Sequence, residues 1–242
     1  MTSILYKYAQ YLSNAVYRQG ISNVIKCLEQ SKTNSTVLLD LGCGEGTLTS
    51  KFANVIGTKE VYALDISEGI DVEKITSKGI KLIRADLNES FPLKSEVVDI
   101  VITQQCVEHL IETDNFFEEI YRVLKIGGYA VIRTDNLAQW DSVFFLVFGC
   151  QPSCGPSVSK KHLLSVTPLQ SQSAYTETTK YAPPHYNVMT FKALKRLLNR
   201  NKFVIEKCFG DGYYPLPPFI SRVFCRLDIW HSKMITIKVR KP

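Results

Sequence analysis

Long apolar runs are missing from this chain. No window of its 242 residues approaches the roughly 18 consecutive apolar positions of a spanning helix, and the greasiest stretch, Val143 to Val147 with Phe148 beyond it, is far too short. The opening MTSILYKYAQYLSNAVYRQG has no basic region followed by an apolar core, so it does not read as a secretory leader, and a cytoplasmic location is expected. Closely spaced cysteines are scarce as well. The seven (Cys27, Cys43, Cys106, Cys150, Cys154, Cys208, Cys225) are odd in number and scattered, several inside apolar runs where a thiol packs as a small hydrophobe, which points to reduced thiols. Cys150 and Cys154 stand four apart and could clip a metal, but no second close pair completes a tetrahedral set. Nothing has the pattern of an RRM, KH or double-stranded-RNA-binding module.

What is present fits one soluble domain, or one with a small appendage: 45% of the residues are hydrophobic and 21% charged. The net charge of +6 is uneven, since from Lys192 onward 12 Lys and Arg face only Glu206, Asp211 and Asp228. Such a basic third could meet nucleic acid, an anionic lipid surface or a phosphate-bearing substrate, or be a solvated face.

The chain is organised around VLLDLGCGEGTLTSKFANVIGTKEVYALD, Val37 to Asp65. An apolar run reaches Asp40 and gives way to Gly42, Gly44 and Gly46, after which Leu48, Phe52, Val55 and Ile56 recur at helical spacing. A second apolar run, from Glu60, ends on Asp65, so a carboxylate stands about 20 residues past the glycines at the tip of the next strand. Glycines let the loop turn tightly and expose bare backbone to a ligand, while an Asp at that strand tip can accept both hydroxyl hydrogens of a ribose. A dinucleotide fold wants G-x-G-x-x-G at a helix N-terminus that meets a pyrophosphate. Here the glycines are spaced G-x-G-x-G and flanked by Asp40 and Glu45, which would repel a diphosphate but suit an ammonium or sulfonium group. The balance favours S-adenosylmethionine over NAD.

VLLDLGCGEG resembles the first motif of class I S-adenosylmethionine-dependent methyltransferases of the type 11 kind. The likeness continues through VYALDIS (Val61 to Ser67), ADLNESFPL (Ala85 to Leu93), VVDIVITQQCVEHL (Val97 to Leu110) and EEIYRVLKIGGYAVI (Glu118 to Ile132), in that family's order and spacing. The resemblance implies S-adenosyl-L-methionine as cofactor and S-adenosyl-L-homocysteine as product. The implied cofactor-binding set is Asp40, Gly42, Cys43, Gly44, Glu45, Gly46, Asp65, Ile66, Asp86, Leu87, Gln104 and Gln105. Asp86 would accept from the adenine amino group and the Leu87 N–H would meet a ring nitrogen; otherwise Asp86 is a turn residue bonding its own backbone. Family members commonly have Pro where Ile126 stands.

Strand and helix patterns alternating through this region imply an α/β fold. It is a Rossmann-like doubly wound sheet of about seven strands, mostly parallel with an antiparallel C-terminal hairpin, helices on both faces and ligands beyond the carboxyl ends of the strands. The chain is expected to be a single methyltransferase domain. Residues 1–30 would form two helices broken at Gly20, as a lid over the cleft or as packing on the sheet; 35–135 the cofactor-binding core; 136–184 an irregular insertion or substrate lid interrupted by apolar VFFLVF; and 185–242 a helix and the closing hairpin. Further helices are expected from Gly69 to Ser77 and from a cap at Thr113 or Asp114 to a stop at Gly127-Gly128.

Transfer from a sulfonium needs mainly alignment, with a general base where the acceptor is a hydroxyl. The candidate catalytic residues are Glu108 and His109, just past the fourth strand, and His185 after the insertion, because a carboxylate can fix the tautomer and basicity of an imidazole. In small-RNA 3′-end methyltransferases a Glu-x-x-Glu-His element with a further His binds a divalent metal. Gln105 replaces the first Glu here, and no metal is expected. Tyr213, Tyr214 and Phe219 are either an aromatic wall for the acceptor or core. The expected function is methyl transfer to an oxygen, less readily a nitrogen, of a small molecule. Similarity of the stretch from Asn136 through Gln151-Pro152 to the terminal VRKP with methyltransferases of polysaccharide or glycolipid assembly suggests a sugar or lipid-linked acceptor. The alternatives are RNA methylation and a cofactor-binding partner protein without turnover.

Overall fold

The computed structural model describes residues 2–29, 35–152, 154–156 and 184–242. Its strands are β1 (Val37–Leu41), β2 (Glu60–Asp65), β3 (Ile80–Arg84), β4 (Val98–Gln104), β5 (Leu124–Asp135), β6 (Val204–Asp211) and β7 (Met234–Arg240). They pair into one sheet of order β3-β2-β1-β4-β5-β7-β6. The five strands from β3 to β5 are parallel, and β7 inserts antiparallel between β5 and β6, which closes the sheet with the expected hairpin. The central strands are buried on both faces, which explains their nearly continuous apolar runs.

Alternate residues of each strand feed two separate cores. Leu38, Ala63, Ile100, Ile102, Tyr129 and Val131 face a layer made by α1 (Thr2–Cys27), α2 (Thr47–Ile56) and α3 (Val72–Thr76). On the other face, Leu39, Leu41, Val101, Ala130, Ile132, Ile235 and Ile237 meet α4 (Thr113–Val123) and α6 (Phe191–Arg200). The helices α5 (Trp140–Val147) and α7 (Pro218–Leu227) lie towards the β6–β7 side, where Trp140 stacks on His231 and Tyr213 meets Phe224 at a tilt. On α4, Phe116, Phe117, Ile120 and Val123 are all fully buried, each contributing about 1.5–3 kcal/mol relative to exposure.

Several element boundaries differ from the sequence expectation. Residues 2–27 are one helix, not two: Gly20 continues α1 because it lies against the sheet, where a Cβ would sit 2.1 Å from Nε of Arg133. In the second half of the helix Ile21, Val24 and Cys27 are buried against the sheet. The helix expected from Gly69 begins at Val72, where the Asp71 carboxylate accepts from the Lys74 N–H. Neither Thr113 nor Asp114 caps α4; Glu112 stands at the cap with no side-chain bond. Nor do Gly127-Gly128 end that helix, which stops at Val123 and runs into β5. Gly128 is there because a Cβ would lie 2.9 Å from the Lys125 carbonyl and 3.0 Å from that of Asp99. The apolar VFFLVF segment is largely helical, within α5. Residues 153 and 157–183, most of the expected lid, lie outside the described residues. No helix among the described residues is long and apolar enough to cross a membrane.

Candidate active site

The turn after β1 holds three glycines, all with positive φ: 78° at Gly42, 52° at Gly44 and 68° at Gly46. Two of them also lack room for a side chain. A Cβ on Gly42 would come within 2.9 Å of Cys106 Sγ, and one on Gly46 within 3.0 Å of Ile80. Gly44 has open space around it, so there the requirement is the left-handed backbone itself, and the loop presents bare peptide outward. Asp65 turns back onto this loop. Its Oδ2 accepts from the Gly44 N–H and its Oδ1 from the Ser67 N–H, both at 2.9 Å. A carboxylate has about four acceptor sites, so lone pairs remain for ribose hydroxyls. Asp40 is buried beneath the turn and accepts from the Thr49 hydroxyl. Burial pushes its carboxyl up to about 6, against the Thr49 bond and helped by the charge of Asp65. Burial likewise raises the neighbouring Cys43 thiol to about 12, with Asp40 and Asp65 adding to it, so Cys43 contributes as a neutral group.

Beside Asp65, Ile66 is 58% exposed and offers an apolar surface next to the glycine turn. Asp86 follows the adjacent strand tip, since Asp65 pairs with Arg84 across β2 and β3 and the Ala85 N–H donates to the Asp65 carbonyl. Its Oδ1 accepts from both the backbone and the side chain of Asn88, which is the turn role, while Oδ2 has no hydrogen bond among the described residues. Leu87 is buried in the core cluster beneath. Gln104 ends β4 with its Oε1 buried and unpartnered, and Gln105 is exposed in a strained left-handed conformation with φ 48°. The structure does not bring Glu45 into this set: its carboxylate is exposed and paired with Lys74 at 2.7 Å.

The three candidate catalytic residues do come together. Glu108 and His109 form a single 3₁₀ turn, Val107–His109, past the end of β4, and the 184–187 segment docks on it through the Tyr186 and Asn187 N–H groups, which donate to the Glu108 carbonyl. The His109 and His185 rings meet edge to face, 4.8 Å between centroids. Nδ1 of His109 lies 3.2 Å from the Pro184 carbonyl, and Nδ1 of His185 lies 3.1 Å from that of Cys154 and 3.9 Å from Asp135 Oδ2. Glu108 is fully buried, with Oε2 accepting from Thr134 and Oε1 unpartnered among the described residues. Burial, reinforced by the neighbouring Asp135, pushes its carboxyl well above the usual carboxylate range. Glu108, His109 and His185 each place one ligand atom within 4.8 Å of the others, a grouping that could hold a divalent cation.

Two members of this cluster escaped the sequence reading. Asp135 ends β5 and Thr134 precedes it. The same rule that found Asp40 and Asp65, an acid at a carboxyl-terminal strand tip, applies to Asp135. The aromatic wall is not formed at this cluster: Tyr213 is buried, sharing its hydroxyl with Asp228 and Trp140; Tyr214 donates to the Ala9 carbonyl of α1; and Phe219 is exposed on α7.

Residues 39–132 match the family model described as a methyltransferase domain. A mitochondrial ubiquinone biosynthesis O-methyltransferase of Rattus norvegicus is 31% identical over 121 residues, covering 47% of this chain and 35% of the relative. A ubiquinone/menaquinone biosynthesis C-methyltransferase of Vibrio vulnificus is 30% identical over 103 residues, 39% of each chain. This chain thus spans little more than a third of the curated relatives it matches. A solved S-adenosylmethionine-dependent methyltransferase of Mesorhizobium loti superimposes with a TM-score of 0.59 at 17% identity, over 90% of this chain and 96% of that one. The fold described above agrees with the structural match. Residues 39–132 of this chain thus match a methyltransferase domain, and the chain shares its fold with a solved S-adenosylmethionine-dependent methyltransferase.

Proposed function

We propose that the chain transfers a methyl group to a hydroxyl oxygen of a small molecule, with the His109–His185 pair taking up the proton. The observation that carries this reading is the gathering of both imidazoles with Glu108 and Asp135 at the carboxyl ends of β4 and β5, where Glu108 and His109 lie on the loop whose Cys106 Sγ leaves no room for a Cβ on Gly42. Bound S-adenosylmethionine supplies a methyl already activated by its sulfonium. The glycine turn with Asp40 beneath it would hold its charged end and Asp65 its ribose, while Ile66 and Asp86 would receive the adenine. One of the two imidazoles would take the acceptor's proton as the new oxygen–carbon bond forms, and the Asp135 carboxylate near His185 would stabilise the resulting imidazolium. The ubiquinone O-methyltransferase among the relatives supports an oxygen acceptor, and a lipid-linked phenol or sugar is the class to test first.

The experiment is incubation of labelled S-adenosylmethionine with phenolic, sugar and isoprenoid-linked acceptors, alongside calorimetry with S-adenosylhomocysteine. His185→Ala should lower kcat by roughly 10²–10⁴-fold, the range for a lost general base, with homocysteine-product affinity unchanged. Product binding without turnover on any acceptor would favour a partner protein, and absence of binding would remove the enzyme reading altogether. A second reading, a catalytic divalent metal, rests on the Glu108, His109 and His185 grouping. Chelator treatment should leave turnover intact if the imidazoles act as bases. Loss of activity that added metal restores would decide for the metal.

A further inference from the structure

A cavity of about 1050 Å³ lies away from the glycine turn and the His109–His185 cluster, along the open edge of β6, between α1 on one side and α6 and α7 on the other. Arg18, Lys26, Lys195, Arg222 and Arg226 line it, and no carboxylate does. None of these five is ion-paired among the described residues, whereas Lys233, Lys238, Arg240 and Lys241 at the neighbouring β7 each contact a carboxylate. The sequence concentrates charge in the same place. Helices α1, α6 and α7 contain nine of the chain's 29 Lys and Arg and none of its 23 Asp and Glu, so the remainder of the chain is acidic by three.

The outer face of α7 is built the wrong way round for a solvated helix. Its buried positions are Ser221 and Cys225, while Phe219, Val223 and Leu227 are 72%, 54% and 76% exposed. Arg222 and Arg226 share that outer stripe at helical spacing. Beyond the helix end Trp230 is 40% exposed, with the Lys192 and Lys195 ammonium groups over its ring. Across the groove stands exposed Tyr11 of α1.

We propose that this face docks on an anionic lipid bilayer, with the groove cations on the lipid phosphates and Phe219, Val223 and Leu227 entering the boundary between headgroups and acyl chains. Charge complementarity and the apolar stripe together select this occupant. A helix of basic residues interleaved with bulky apolar ones lies in such an interface, and Trp and Tyr sit at its headgroup level. Single-stranded nucleic acid would use the cations and the flat rings, but Val223 and Leu227 give it nothing to stack on. The proposal does not depend on the acceptor, because no residue of the groove belongs to the methyl-transfer site.

Co-sedimentation of the full chain with vesicles tests it. The chain should sediment with phosphatidylcholine vesicles containing phosphatidylglycerol, not with phosphatidylcholine alone, and high salt should release it. Arg222→Ala with Arg226→Ala should weaken that binding about 25-fold, roughly fivefold for each cation near the surface. Phe219→Ser with Leu227→Ser should weaken it too, and S-adenosylhomocysteine affinity should be unchanged in both variants. Failure to bind the anionic vesicles, or equal binding to neutral ones, overturns the proposal; both are read on the unaltered chain, so no variant's folding enters. Binding of single-stranded RNA that needs Arg222 and Arg226, without vesicle binding, would assign the groove to nucleic acid and overturn it as well.

Discussion

Asp40 is pulled in two directions, since burial favours its protonated form and the Thr49 hydroxyl favours its charge; burial prevails and the carboxyl rises from 3.8 to about 6. The folded state therefore holds this proton more tightly than the unfolded chain does. The stability it contributes is complete below pH 3.8 and is lost as the pH rises through about 6, a difference of roughly 3 kcal/mol at neutral pH. Asp40→Asn, which keeps an acceptor for Thr49, should accordingly raise the unfolding midpoint at pH 7.5 and leave it nearly unchanged at pH 4; thermal melts at the two values check this. Asp65 matters for the hydrogen bonds it accepts. Its oxygens hold the Gly44 and Ser67 N–H groups, so Asp65→Asn loosens the glycine turn and removes the charged acceptor for ribose. Calorimetry should show S-adenosylhomocysteine affinity falling about 10- to 100-fold, as expected for a charged hydrogen bond.

Helix α1 shows why a glycine in a helical pattern cannot be read by propensity. Replacing a mid-helix Gly with Ala ordinarily gains about 1 kcal/mol. At Gly20 the added methyl would meet the Arg133 guanidinium, which is 2% exposed and held by Asp211 at 2.8 Å and by Met234, so it has nowhere to go. Gly20→Ala should destabilise the protein by about 1–3 kcal/mol, the usual penalty of overpacking, as a lower urea midpoint with an unchanged slope. A gain in stability would mean that α1 does not press on the sheet here. The α4–β5 junction teaches a related lesson. Gly127-Gly128 looks like a helix stop, yet the helix ends earlier and Gly128 serves the close passage of the Asp99 carbonyl.

At the scale of the whole molecule, one buried polar network ties α1 to the closing strands. Asp211, fully buried on β6, accepts from Arg133 of β5, Asn23 of α1 and Thr236 of β7. Removing one partner leaves an uncompensated charge, so Arg133→Met should cost about 3–5 kcal/mol. At roughly 2–4 °C per kcal/mol for a chain of this size, the melting midpoint should drop by about 6–20 °C. Arg133→Met combined with Asp211→Leu should recover most of that loss in calorimetric melts, because no bare charge remains. If the double variant is no better than the single one, the network contributes more than paired burial.

The succession of strands and most of the helices was legible from the residues alone, as was the glycine turn with its acids. Apolar periodicity marks each core element, and Gly42, Gly44 and Gly46 with Asp40 and Asp65 impose a backbone and a charge that few arrangements share. Glu108, His109 and His185 could be nominated from residue type but not assembled, because 75 positions separate His109 from the Pro184 carbonyl its ring meets. Asp135 joined them only when β5 paired with β4 and carried its tip to the same edge. The folded chain alone settled the role of Gly20, the outward turn of Glu45 and the gathering of Arg18, Lys195 and Arg222 around one groove. These are contacts between distant segments, and local sequence constrains the conformation of a segment far more tightly than it constrains which other segment will lie against it.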